Sequence, residues 1–221
     1  MSLEILGKLF SSNALVKIMR LFLSNQEQGF ELADIVSHSK VRAPAARVEL
    51  TLLKSIGFVK QKQFSKEIES KSRAKGKNKQ PPKMIKKKVT GWFLNPSFKY
   101  LQQIQALLID STSLPKEEIA QKFKSAGKIK LLLVSGIFIR DNNSRVDILI
   151  VGDKLKNRAI DETVKNLEAE IGKELNYVVF DTEEYLYRLD MYDKLISDIL
   201  DFPHKKILNT FELSTNSSKK P

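Results

Sequence analysis

Between residues 60 and 88 the chain carries twelve Lys or Arg against two Glu, so this one segment supplies +10 of a net charge of +12. A like-charged run of this density cannot bury itself, and it stays solvated unless a polyanion neutralises it. Any fold must therefore leave the stretch at the surface, either as a linker between domains or as a loop within one. Its flanks decide between the two. The rest of the chain is nearly balanced, at +2 before residue 60 and −3 over residues 110–213.

Composition excludes several classes. A chain of 221 residues holds one large domain or two small ones, and a hydrophobic fraction of 42% is ample for a core. The absence of Cys rules out disulfides and thiolate metal sites. His38 and His204 read as surface or packing residues, which leaves carboxylates, Lys, Ser or Tyr for any catalysis. The first ten residues lack the pattern of a signal peptide, and the longest nearly apolar run, 131–139, is too short to span a bilayer. The expectation is a soluble, cytoplasmic protein without membrane contact. A basic balance points to nucleic acid or an acidic membrane surface, and the elements around the run favour nucleic acid.

Ser11-Ser12-Asn13 precedes an apolar-periodic run and predicts a helix N-cap, with Leu15, Ile18, Met19 and Phe22 on one face. A second helix is predicted over 30–38. After a turn at 39–44, Pro44 suits the first turn of a third helix over 43–55, with Ala46, Leu50 and Leu53 inward. Arg47, Thr51 and Lys54 repeat that spacing on a neighbouring face. Gly57 ends the helix, and strands are predicted over 58–64 and 88–94, either side of the basic run. Helix, tight turn, helix and hairpin are the order of a winged helix-turn-helix, with the basic run as wing tip. An ordinary three-helix bundle shares the apolar pattern. Lys40, Arg42, Arg47, Thr51 and Lys54 are the expected recognition-helix contacts. Lys62, Lys66, Lys71, Arg73, Lys75, Lys77, Lys79, Lys83, Lys86, Lys87 and Lys88 are the expected wing contacts to phosphate. The tip is expected to be mobile until DNA supplies counter-charge. Val48 and Leu52 are apolar beside the expected DNA face, so contact with the wing or a partner subunit is the alternative for them. Asn95-Pro96 ends the hairpin, and Ser97 is expected to cap a helix over 98–110.

In the second half, helices are predicted over 116–126, 157–172 and 183–201, the last capped by Thr182. Strands are predicted over 128–140 (interrupted at Ser135-Gly136), 145–152, 177–180 and 205–208. A helix, a strand ending at a Gly/Ser pair, a turn and a strand reading apolar-Asp-apolar-apolar resembles the minimal nucleotidyltransferase fold. That resemblance implies a Gly-Ser turn on the triphosphate and three acids holding two divalent metals. Here the pair is Ser135-Gly136, in reversed order. Asp147 aligns with the second acid, Arg145 occupies the first position, and Asn176 falls near the third. The resemblance therefore implies a degenerate domain with no catalytic residue, no metal and no cofactor. Ser135, Gly136, Arg145 and Asp147 would form a vestigial nucleotide pocket. The plainer alternative pairs Arg145 with Asp147 or solvent and lets Asp147 cap a turn.

Through LFSSNALVKIMRLFLSN, LTLLKSIGFV, WFLNP, SGIF…SRVDILIVGD and EEYLYRLDMYDKL, residues 1–213 resemble bacterial two-domain proteins. These join an arsenic-repressor-type winged helix to a nucleotidyltransferase-like domain and are described as predicted transcriptional regulators. The expected fold class is α/β of the α+β kind. A winged helix-turn-helix covers 1–96 with its wing tip at 65–87. A linker or dimerisation helix covers 97–112, a degenerate nucleotidyltransferase-like domain 113–213, and a disordered tail 214–221. The expected function is sequence-specific transcriptional regulation on double-stranded DNA, as a homodimer, with the second domain serving either dimerisation or the sensing of a nucleotide or small-molecule effector. Two alternatives stay open. One is an active nucleotidyltransferase acting on nucleic acid or protein, which needs Asp147 with Asp141 or Asp181. The other is a nucleotide-sensing regulator.

Overall fold

A computed structural model describes residues 3–69, 84–110, 115–141 and 143–211. The fold is mixed α and β, with a hairpin in the first half and a four-stranded sheet in the second. Among the described residues no helix is long and apolar enough to cross a membrane.

The first half is built on α2 (Asn13–Ser24), whose N-cap Ser12 accepts from the Leu15 amide at 3.1 Å, as its sequence predicts. This helix is buried on nearly every side, so it forms the centre of the core rather than one wall. Packed on it are α1 (Leu3–Leu9), which the sequence reading leaves out, α3 (Leu32–Ser39) and α4 (Ala43–Ser55). Phe30 does not begin α3. Its backbone exchanges hydrogen bonds with Trp92 at 3.0 and 2.8 Å, and the helix opens only after Glu31, whose amide donates to Asp34. Ala46, Leu50 and Leu53 of α4 are buried, as expected.

Strands β1 (Val59–Glu69) and β2 (Met84–Leu94) pair antiparallel along their full length. They reach further into the basic segment than its composition suggests. Of the tip expected at 65–87, residues 65–69 and 84–87 are strand instead, so Lys66, Lys86 and Lys87 belong to the ladder together with Lys88. A two-stranded ribbon has two solvated faces, so lysines can alternate out of it while the backbone still pairs. Lys71, Arg73, Lys75, Lys77, Lys79 and Lys83 lie outside the described residues, as does the mobility expected of them.

After the hairpin the chain turns at residues 95–98, where the Ser97 amide donates to Asn95 Oδ1. Ser97 therefore caps no helix. The helix is α5 (Leu101–Gln105), continued by a π-helical turn, Ala106–Asp110. Leu108 is buried in the first-half core, with Phe98, Leu101, Ile104 and Leu107 packed beside it.

The second half comprises α6 (Lys116–Lys122), β3 (Lys128–Val134), β4 (Ile148–Asp153), α7 (Asn157–Ile171), β5 (Tyr177–Asp181), α8 (Thr182–Asp190), α9 (Lys194–Asp201) and β6 (Lys205–Asn209). The strand order is β5-β4-β3-β6, with β4 and β5 parallel and the other pairs antiparallel. Leu132, Val134, Ile148 and Ile150 pack against Ile119 of α6 and Ile160, Val164 and Leu167 of α7. Leu131, Leu133, Leu149 and Val151 pack on the opposite face against Tyr185, Ile196 and Ile199 of α8 and α9. With both faces covered, strands β3 and β4 need apolar residues at every position, which is why they read as continuous runs.

Several expectations are corrected here. The strand expected over 128–140 ends at Val134, because Gly136–Phe138 winds into a 3-10 turn. The strand expected from 145 begins at Ile148. The helix expected over 183–201 is two helices: Tyr192 takes a left-handed φ of 52°, and Asp193 starts α9 by accepting from the Leu195 and Ile196 amides. Asp181, not Thr182, caps α8. Tyr192 is 87% exposed as a result. The tail, 214–221, lies outside the described residues.

Candidate nucleic-acid interface and the Asp147 turn

The five expected recognition residues do different things. Arg42, at the N-cap position of α4, and Arg47 are exposed, and neither side chain has a hydrogen-bond or ion-pair partner among the described residues. Lys54 points to the hairpin: its Nζ donates to Gln61 Oε1 at 3.2 Å and sits 5.8 Å from the Trp92 ring centroid. Thr51 Oγ1 donates to the Arg47 carbonyl at 2.8 Å. Lys40 holds the left-handed C-cap of α3 and reaches Asn166 of α7 at 2.9 Å, away from the outer face of α4.

The ladder sorts the hairpin lysines. Opposed residues of an antiparallel pair share a face, and the pairs Gln61–Trp92, Ser65–Lys88 and Glu67–Lys86 share the one that meets Lys54. Lys60, Lys62, Lys66 and Lys87 lie on the other face. Lys62 stands 5.9 Å from the Phe93 ring centroid. Lys66 is committed inside the chain, 2.7 Å from Asp34 and 3.3 Å from Glu31. The Asp34 carboxylate raises the Lys66 pKa; partial burial opposes the rise, and Glu31 adds to it. Lys86 pairs loosely with Glu67 at 3.7 Å. Lys87 and Lys88 are exposed, with no side-chain partner among the described residues.

Three of the four residues expected at a nucleotide pocket do meet, in a tightly bonded turn. Asp147 Oδ1 accepts from the Ile137 amide and Oδ2 from the Asn176 amide, each at 2.9 Å. Its own amide donates to the Asn176 carbonyl at 2.7 Å, and its carbonyl accepts from the Ser135 amide at 2.9 Å. Gly136, at φ 55°, lies so close that a Cβ there would overlap Asp147 Oδ1. Ser135 is buried; its hydroxyl donates to the Val146 carbonyl and lies 3.1 Å from Ser144 Oγ. Arg145 stands apart, more than half exposed, and pairs with Asp198 of α9 at 3.0 Å rather than with Asp147. Asn176 takes part through its backbone. Asp141 accepts from the Asn143 amide, Asp181 caps α8, and Asp153 is held by Lys130 and Thr182. Among the described residues no three His, Cys, Asp or Glu side chains gather as metal ligands would.

One region escapes the sequence reading. Arg20, only 2% exposed, donates from Nε to the Leu108 carbonyl at 3.0 Å and from Nη1 to the Glu170 carbonyl at 2.8 Å. Ser24 and Asn25 reach the carbonyls of Ile171 and Gly172. Side chains of α2 and its C-cap Asn25 thus satisfy the open carbonyls at the C-terminus of α7, where a cation also suits the helix dipole. Burial lowers the pKa of Arg20, and the Glu170 carboxylate opposes that shift. Beside this seam a cleft of about 520 Å³ opens among Phe30, His38, Lys40, Lys165, Glu168 and Gly172. A second cavity, of about 550 Å³, lies by Asp161, Tyr177 and Asp181. Neither is lined by Ser135, Gly136, Arg145 or Asp147. The one signal in the sequence is an arginine set between Met19 and Leu21 in the apolar run of α2.

No protein-family model, no curated protein and no solved structure matches this chain.

Proposed function

We propose that this protein is a transcriptional regulator that binds duplex DNA sequence-specifically through α4 and the β1–β2 hairpin, as a winged helix-turn-helix. The observation that carries the reading is the pair of guanidinium groups, Arg42 and Arg47, at the N-cap and on α4, which have no partner among the described residues and lie on the helix that meets a hairpin presenting Lys87 and Lys88. Arginine reads guanine edges in the major groove, and lysines on a ribbon track phosphate. The hairpin strands lie within the basic segment 60–88, which carries +10 of the chain's +12.

In this reading residues 1–96 bind DNA, 97–112 link, and 113–213 form a nucleotidyltransferase-like domain without catalytic function. The order α6, β3, glycine turn, β4 supports the likeness. The commitment of both Asp147 oxygens to backbone amides supports the non-catalytic role. The DNA-bound form is a homodimer, because one recognition helix covers few base pairs. Exposed Tyr187, Met191 and Tyr192 around the end of α8 supply apolar surface that a second copy would cover.

The test is a titration of the full chain against random-sequence duplex over a salt series. Log affinity should fall linearly with log salt, with a slope of about −0.9 per phosphate neutralised. A flat line would falsify the proposal.

A further inference from the structure

An α-helix turns about 100° per residue, so the face of α4 opposite its buried Ala46, Leu50 and Leu53 is formed by Pro44, Val48, Thr51 and Ser55, with Leu52 at its edge. A solvated helix face ordinarily carries charge. This one carries methyl groups, with Val48 69% and Leu52 45% exposed. The hairpin does not cover them, which removes one of the two alternatives their sequence leaves open. The polar groups on this face have no proton to offer a ligand. Thr51 Oγ1 donates to the Arg47 carbonyl and Ser55 Oγ to the Leu52 carbonyl, each at 2.8 Å. Donors come only from the flank, at Arg47.

In the major groove the apolar feature that distinguishes one base pair from another is the C5-methyl of thymine. We infer that Val48 and Leu52 contact thymine methyl groups and so select duplexes with thymine at one or two fixed positions. This rests on the duplex-DNA reading above and names what that interface recognises. Charge decides the occupant. Arg47 flanks the apolar strip and Arg42 stands at the N-cap of the same helix, both without partners among the described residues, which suits a polyanion. A second copy docked here by a two-fold axis would set these cations against their own equivalents.

The experiment is selection of a preferred site by the full chain from a randomised duplex library. The selected duplex is then resynthesised with uracil replacing thymine one position at a time, which deletes only the methyl. Binding should weaken about fourfold at one or two positions, the value of one buried methyl-sized group, and stay unchanged at the others. With Val48→Ala or Leu52→Ala, thymine and uracil versions should bind equally at the matching position. Both side chains are exposed, so folding is retained, and circular dichroism checks it. If salt-dependent binding persists but uracil is tolerated at every position, the methyl contact is overturned and duplex binding stands. If no duplex binds at any salt concentration, both fall. If the alanine variants change the molecular mass by light scattering while the thymine preference survives, the strip is a protein contact and the inference is overturned.

Discussion

Gly172 packs against the main chain of Arg20: a Cβ built on Gly172 would stand 2.5 Å from the Arg20 carbonyl carbon. The contact joins the C-terminus of α7 to the middle of α2, and the same few residues supply the hydrogen bonds across the seam. Gly172 also holds a φ of 85°, which L side chains rarely adopt. Gly172→Ala meets both obstacles. It should destabilise the fold by about 2–4 kcal/mol, combining left-handed strain with backbone displacement. Urea unfolding measures it, and a change below about 0.5 kcal/mol would show that the seam yields at little cost.

Arg20 contributes to that seam by capping, not by filling space. Arg20→Met keeps a long apolar stem but leaves the Leu108 and Glu170 carbonyls short of donors in a buried setting. The expected loss is about 2–4 kcal/mol, and Arg20→Lys should recover part of it, since one ammonium can reach one carbonyl. Hydrogen exchange should show faster opening of α7's last turn in the methionine variant.

Asp147 is expected to matter for stability and not for chemistry. Asn offers one carbonyl oxygen where the carboxylate serves two amides, so Asp147→Asn turns an NH₂ group towards an N–H. A cost of about 1–3 kcal/mol follows. The salt dependence of duplex binding should be unchanged. Nucleotide transfer abolished by this substitution would instead make Asp147 catalytic.

The sequence exposes the main elements wherever burial is one-sided or complete. The Ala46, Leu50 and Leu53 stripe locates α4, and the apolar runs at 131–134 and 148–151 locate the two central strands. It hides what depends on partners far along the chain. The partners of Asp147 come from positions 10 and 29 residues away, so an acid in an apolar run reads equally as a metal ligand or a capping carboxylate. The break before α9 is hidden for the opposite reason. Tyr185, Leu189, Tyr192 and Ile196 keep a helical period straight through it, and only the local bonds of Asp193 interrupt the helix. Dense charge masks the outer halves of β1 and β2, because a ribbon solvated on both faces leaves no apolar alternation to read.

Tyr177 gives a pH signature. Its hydroxyl donates to Asp161 Oδ1 at 2.7 Å, and that bond, helped by partial burial and the nearby negative charge, raises the phenol's pKa to about 12. A folded pKa above the ordinary 10.0 means the contribution to stability is complete below pH 10.0 and is lost as pH rises from there through about 12. Phenolate absorbance should show Tyr177 ionising after the exposed tyrosines. Tyr177→Phe should remove that late step and weaken the fall in stability over the same window. An unchanged titration curve in the variant would rule out the Asp161 bond as the cause.

The hairpin lysines should differ in what they do to DNA affinity, in the order the ladder dictates. Lys87 and Lys88 have no side-chain partner among the described residues, so replacing either by Gln should lower the salt slope by about 1. Lys66 is held by Asp34 and Glu31, and Lys66→Gln should leave the slope where it was. The effect of Lys66→Gln should appear in stability instead. Its raised pKa means that the ion pairs stabilise the fold fully below the ordinary 10.5 and cease to do so as pH climbs through the higher folded value. Slopes from the three variants, measured on one random duplex, separate the roles. Equal reductions at Lys66 and Lys88 would mean that the α3 carboxylates release Lys66 when DNA binds, and that the hairpin closes on the duplex with every lysine it carries.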